Sequence, residues 1–260
     1  MERAQARFDM ARFLIVNADD FGLTAGVNRG IVYAHTNGIV TSTTLMVNMP
    51  GFADAVALAG RTPGLAVGLH LNLTYGRPVL PPWRVPSLVD SEGAFVRDPR
   101  YVIDRGRVEE IEAEFAAQAE RFTATGLALS HLDSHHHLHA EVKFLAPMAR
   151  LAQKAGVTVR CLDRQALLAR GVAPRAGFVK FFGDENGVAR LSAIFAGLPE
   201  GATEIPCHPG FVDDELMALS TLNTIREREL AALTDPRTLA AAQAEGIQLT
   251  SYPGLCGAAG

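Results

Sequence analysis

Phe13-Leu14-Ile15-Val16-Asn17-Ala18-Asp19-Asp20-Phe21-Gly22 reads as a buried strand that ends in two carboxylates and a glycine turn. An apolar run without polar alternation fits a strand covered on both faces, which is the condition of parallel sheets in α/β proteins. Ligands in such folds bind beyond the carboxyl ends of the strands, so Asp19 and Asp20 stand where chemistry is expected. Aspartate is also a common turn and capping residue, and the pair alone leaves both readings open.

Outward from this strand, helical and extended patterns alternate. Ala25 to Asn37 reads as a helix closed near Gly38, Ile39 to Val47 as a Thr-rich strand, Phe52 to Gly60 as a short helix and Leu65 to Leu73 as a strand. From Tyr75 to about Arg107 the pattern dissolves into a Pro- and aromatic-rich insertion, too long for a simple connection and suited to a lid or a substrate wall. A charged amphipathic helix follows over Val108 to Thr125, then a strand over Leu127 to Leu132, a helix over Ala140 to Ala155 and a strand over Val157 to Leu162. Further on, strands are expected at Phe178 to Phe182, Thr203 to His208 and Ile247 to Thr250. Helices are expected at Gly187 to Ala196 and Thr221 to Leu233, and Asp235-Pro236 reads as the start of another. Repeated βα units over residues 1–260 imply one domain built on a parallel sheet, closed as a barrel or open.

The strand at Leu127 delivers His131-Leu132-Asp133-Ser134-His135-His136-His137-Leu138-His139, five of the chain's 8 histidines. Imidazole interleaved with carboxylate at this density is a metal-site pattern, and a terminal tag would carry no Asp-Ser within it. In Leu65-Ala66-Val67-Gly68-Leu69-His70-Leu71-Asn72-Leu73 one histidine interrupts an apolar strand. Alone it is an ordinary core residue; beside two further metal-type segments it reads as a ligand. With 260 residues, 48% of them apolar, and a net charge of -4, the chain supports a sizeable core and shows no basic, aromatic-laced stretch suited to nucleic acid or an anionic membrane. Three cysteines without Cys-x-x-Cys pairing fit a reducing compartment, no apolar stretch approaches ~20 residues, and Met1 to Arg7 lacks the apolar core of a signal peptide. The expected location is the cytoplasm, and a homodimer stays open.

Asn17-Ala18-Asp19-Asp20-Phe21-Gly22, Gly38-Ile39-Val40-Thr41-Ser42-Thr43-Thr44, Gly68-Leu69-His70, the run from His131 to His137 and Cys207-His208-Pro209-Gly210 together resemble the YdjC-like carbohydrate deacetylases. The resemblance spans nearly the whole chain in order. It implies an irregular (βα) barrel of mostly parallel strands, related to the polysaccharide deacetylase superfamily, and hydrolysis of N-acetyl groups on a small amino-sugar substrate. It also implies a divalent metal ion, magnesium first, with zinc or another transition metal as alternatives. Members linked to hopanoid biosynthesis share these motifs, so a glycosylated lipid is the alternative substrate.

Carried over, the resemblance assigns the metal to Asp20, His70 and His135 and makes Asp19 the general base. The residues themselves leave Asp19 and Asp20 interchangeable: neighbours on a strand face opposite ways, and one must be turned inward by a bend expected at Phe21-Gly22. His208 is the candidate general acid, with oxyanion stabiliser or a turn histidine held by Pro209 as alternatives. A Cys207–His208 hydrolase pair fails because adjacent strand side chains diverge. Asp133 would share a face with His131 and His135 and orient a ring, and His137 is a candidate substrate contact. Arg160 is expected either to grip substrate or, more simply, to form a surface ion pair. Trp83, the chain's 1 tryptophan, either walls the sugar site or anchors its loop by burial. A metal-dependent phosphohydrolase lacks its phosphate clamps here, and a non-enzymatic sugar carrier would have no need of Asp19 and His208.

Overall fold

In the computed structural model, which describes residues 11–181 and 187–257, parallel strands form one sheet. They are β1 (Arg12–Phe21), β2 (Ser42–Leu45), β3 (Ala66–Leu71), β4 (Leu129–Ser134), β5 (Thr158–Val159), β6 (Gly177–Phe178), β7 (Gly201–Cys207) and β8 (Ile247–Leu249). Their order is β5-β4-β3-β2-β1-β7-β6, with β8 joined to β1. β1 is the axis of this arrangement. It pairs with β7 from Arg12 to Ala18, while β8 takes Arg12 to Leu14 and β2 takes Asn17 to Phe21 on its other edge. Among the described residues nothing joins β5 to β6, so the expected irregular barrel is an incomplete one, open between those two strands.

Helices cover the sheet. The first, α1 (Ala25–Asn37), starts where the Thr24 hydroxyl accepts from the Val27 amide, and it buries Val27, Ile31 and Ala34 at helical spacing. α2 (Phe52–Ala59), α3 (Pro99–Arg105), α4 (Val108–Thr123), α5 (Val142–Ala155), α6 (Arg164–Leu168), α7 (Val188–Ala196), α8 (Asp214–Leu219), α9 (Thr224–Thr234), α10 (Pro236–Ala244) and α11 (Tyr252–Gly257) complete the set. The short helices α3, α6, α8 and α11 carry too few turns for a periodic signal and are additions to the pattern read from sequence. Several expected strands are shorter than read: the Thr-rich one keeps only Ser42–Leu45 and that near Cys161 only Thr158–Val159. The strand expected at Phe178 to Phe182 runs past the described residues, as do Met1 to Arg7. No helix among the described residues is long and apolar enough to cross a membrane.

The insertion between β3 and α4 is held by an inward-facing polar stripe on α4, at Glu110, Glu114 and Gln118. Glu114 accepts from the Val79 and Leu80 amides at 2.8 and 3.0 Å and from Gln118 Nε2 at 2.8 Å. Glu110 accepts from both the amide and the hydroxyl of Ser87, and Gln118 pairs with the Asn72 amide and carbonyl. Val85, Leu88 and Phe95 add an apolar root. Trp83 does not anchor its loop by burial: it is 78% exposed on a 3-10 turn, Pro82–Arg84, and is not among the residues lining the cavity described below.

Glu114→Ala leaves two backbone N–H groups without their acceptor. The expected loss is about 2–5 kcal/mol, read as a lowered Tm together with faster proteolysis within residues 75–107. Trp83 emission is expected at the position of a water-exposed indole, and N-acetylated sugar should leave it unchanged.

Candidate metal centre and active site

The strand ends deliver the chemistry to one side of the sheet. Asp19 and Asp20 come from β1, His70 from β3, Asp133 from β4, Glu204 from β7, and His135, Arg160 and His208 from the first positions beyond β4, β5 and β7. The bend that separates Asp19 from Asp20 lies at Asp20 itself, one residue earlier than expected: its φ is +69°, and the β1–β2 register breaks between Ala18 and Phe21. A non-glycine residue in the left-handed region is uncommon, and here it turns Asp20 to the same side as Asp19. Gly22 follows at φ +94°, where a Cβ would stand 2.7 Å from the Met46 carbonyl oxygen.

Asp20, His70 and His135 converge. Asp20 Oδ1 lies 3.4 Å from His70 Nε2 and 3.2 Å from His135 Nδ1, and it is buried with no hydrogen-bond partner. Its other oxygen accepts from Arg226 Nη2 at 2.6 Å. His70 is fixed from behind by Asp133, 2.7 Å from Nδ1, so the ring that Asp133 orients is His70 rather than His131 or His135. Burial disfavours a charged His70, but Asp133 and Asp20 outweigh it and raise the imidazole to about 10. This cluster attracts positive charge.

Asp19 is held differently. Its oxygens receive Arg160 Nη1 and Nη2 at 2.8 and 2.6 Å, Asn17 Nδ2 adds 2.9 Å, and His208 Nε2 lies 4.0 Å away. Burial pushes the Asp19 carboxyl up, and Arg160 more than reverses this, holding it well below the usual carboxylate range. Arg160 itself is wholly buried, which overturns the surface ion pair expected for it. It also bonds Glu204 through Nε at 2.9 Å and reaches Asp133 at 2.9 Å. Arg160 lies just past a two-residue strand, too short to betray in the sequence that its guanidinium enters the core.

The histidine run divides by task. His131 stacks on Tyr252 with ring centroids 3.9 Å apart and burial lowers it to about 3, which removes it from the site. His139 is tied to the Ser134 hydroxyl through Nδ1 at 2.6 Å and through its amide at 3.1 Å, closing the turn after β4. Inside that turn His136 and His137 are both left-handed, with φ of 56° and 52°, and His137 meets Phe178 edge-on at 5.5 Å. Burial lowers His137 to about 4, so it meets the cavity as a neutral imidazole. Two consecutive residues in this region cost roughly 1–3 kcal/mol each, which the surrounding contacts of the turn must offset.

Asp20, His135, His136, His137 and His208 line one cavity of about 420 Å³, which Tyr75, Arg97, Arg226 and the 220–222 segment also border. The Tyr75 hydroxyl donates to the Leu219 carbonyl and its ring meets His135 at 5.5 Å, which joins the insertion to the loop after β7. Gly30 lets α1 approach that loop: a Cβ there would stand 2.4 Å from Gly210 Cα. Two participants escaped the sequence reading. Arg226 on α9 bonds Asp20, and Glu229, one turn later, accepts from the His208 amide at 2.5 Å. Their signal was present as spacing: with Leu230 and Leu233 they form a buried stripe at helical positions, and charge on such a stripe points inward.

The residues fit a divalent ion. Asp20, His70 and His135 each offer one donor atom, all within 4.8 Å of one another, and this nitrogen–oxygen set suits zinc or a comparable divalent metal. Asp19, Asp20, Asp133 and Glu204 set against Arg160 and Arg226 leave a surplus of buried negative charge for a cation to neutralise.

The profile of the YdjC-like proteins matches residues 13–244. A carbohydrate deacetylase of Thermoanaerobacter pseudethanolicus is 38% identical over 245 residues, covering 93% of this chain and 98% of that one. A solved structure described as a candidate cellobiose-phosphate cleavage protein of Enterococcus faecalis V583 is 33% identical, with a TM-score of 0.88 and coverage of 94% of this chain and 99% of that one. A family 4 carbohydrate esterase of Streptomyces lividans shares the fold alone, at 11% identity, a TM-score of 0.50 and coverage of 91% and 90%. With the profile and a full-length relative agreeing on the same stretch that supplies every strand end of the site, this chain belongs to the YdjC-like family.

Proposed function

We propose that the cavity removes N-acetyl groups from amino sugars with the help of one divalent metal ion. The observation that carries this reading is the convergence of Asp20, His70 and His135, whose carboxylate oxygen Asp20 Oδ1 is buried without a hydrogen bond, with Asp19 and His208 nearby. The name carbohydrate deacetylase given to a relative that matches nearly the whole chain supports the substrate class. Asp20, His70 and His135 would hold the ion, which when bound polarises the acetamide carbonyl and acidifies water.

The chain's own groups perform the rest. Arg160 keeps Asp19 ionised and aimed, so that Asp19 accepts the proton of the attacking water as its oxygen bonds to the carbonyl carbon. The carbonyl electron pair moves onto the oxygen and returns as the C–N bond breaks. His208, held through its amide by Glu229, gives a proton to the departing nitrogen, leaving an amine and acetate. Tyr75, edge-on to His135 and tied to Leu219, closes one side of the cavity against water.

Acetate release from a panel of N-acetylated sugars, with and without chelator, tests the reading; activity that survives complete removal of metal would sink it. His70→Ala and His135→Ala are expected to lose the ion on dialysis with the fold retained by circular dichroism, and full occupancy in both would remove these residues as ligands. Asp19→Asn should keep its metal and lose about 10²–10⁴ in kcat, whereas Asp20→Asn should lose metal and rate together. The opposite pattern would exchange the two roles.

A further inference from the structure

Arg226 combines two properties that rarely coincide. It is buried in the cavity wall, with Nη2 on Asp20 Oδ2 at 2.6 Å and Nε on the Leu222 carbonyl at 2.9 Å, yet its Nη1 is buried without any hydrogen-bond partner. Nε and Nη2 fix the plane of the guanidinium, so the direction of Nη1 is set before any ligand arrives. A buried charged donor left unpaired is costly, and such groups persist in native proteins where something else completes them. Arg226 lines the same cavity as Asp20, His135 and His208, so the missing partner is an oxygen of whatever reacts there.

We propose that Arg226 Nη1 donates to the acetamide oxygen as that oxygen takes on negative charge, while Nη2 holds Asp20 in place. This rests on the deacetylase reading above. Water's oxygen bonds to the carbonyl carbon, its proton passes to Asp19, and the carbonyl electron pair settles on the oxygen to which Nη1 would donate; no atom of Arg226 is gained or lost. A fixed cationic donor whose partner gains charge during the reaction stabilises the transition state more than the bound substrate. The same donor explains how a side chain absent from every recognisable motif belongs to the reaction: it arrives from α9, on a helix face that also brings Glu229 to His208.

The test is Arg226→Lys beside Arg226→Ala, each assayed with saturating metal after its metal content has been measured. The lysine variant keeps a cation for Asp20 and loses the forked second donor. Expected are one equivalent of metal, KM within about threefold of wild type and kcat lower by about 10²-fold. Guanidinium chloride should restore part of kcat to the alanine variant and none to wild type. A lysine variant with kcat within about threefold of wild type, or one that raises KM and leaves kcat intact, overturns the proposal in favour of a structural or ground-state role. Calorimetric titration of acetate into metal-loaded protein separates this from the wider reading. Wild type that frees no acetate from any sugar sinks the deacetylase assignment. Equal acetate affinity in wild type and the lysine variant sinks Arg226 as the oxygen's donor, whereas at least about tenfold weaker binding in the variant supports it.

Discussion

The Arg160 guanidinium, sealed inside the sheet, is the contact on which the remaining arrangement depends. It links carboxylates from three strands, Asp19 on β1, Asp133 on β4 and Glu204 on β7. Withdrawing so many charges from water is expensive, and the attraction between them offsets that only where every lone pair and proton is matched. Here the matching is close to complete, because Tyr252 donates to Glu204 and Thr44 donates to Asp133. The chain of contacts then runs outward: Asp133 sets the ring of His70, His70 faces Asp20, and Asp20 is held by Arg226. A change at Arg160 would therefore be felt at each of these groups at once.

The two neighbouring aspartates are brought to one side by the backbone and kept apart by separate arginines. Adjacent residues on an undistorted strand would face opposite sides of the sheet. The left-handed backbone at Asp20 brings both to the same side, and different arginines then hold each apart, Arg160 for Asp19 and Arg226 for Asp20. Each carboxylate keeps its charge without sharing a proton with its neighbour, the usual outcome for two acids in one buried place.

The sequence showed what is local. The apolar run into Asp19-Asp20, the histidine interrupting β3, the histidine cluster and His208 at the end of β7 all sit at strand ends, where alternating βα patterns place them. What stayed hidden depends on tertiary position. Arg160 follows a strand of two residues, so nothing nearby told whether its side chain turned in or out. Arg226 and Glu229 lie in Thr-Ile-Arg-Glu-Arg-Glu-Leu, whose overall charge suggests a solvated helix and masks an inward stripe. Among the clustered histidines the resemblance singled out His135 and the residues themselves suggested His137, but nothing local told that stacking on Tyr252 and the lock on Ser134 take His131 and His139 for structural duties. Trp83 was open to burial or to ligand contact because a lone indole in a long loop suggests either, and the exposed turn that carries it rules out burial.

Glu114 secures the insertion over the cavity through main-chain amides of Val79 and Leu80, not through their side chains. Any residue except proline presents the same N–H, so the clasp is indifferent to the identity of what it holds. Side chains along that segment can therefore change from one relative to another while the segment stays moored at the same point. The wall of the cavity is in this sense an exchangeable part fitted to a fixed floor of strand-end residues, and what the cavity accepts can change there without disturbing Asp20, His135 or His208.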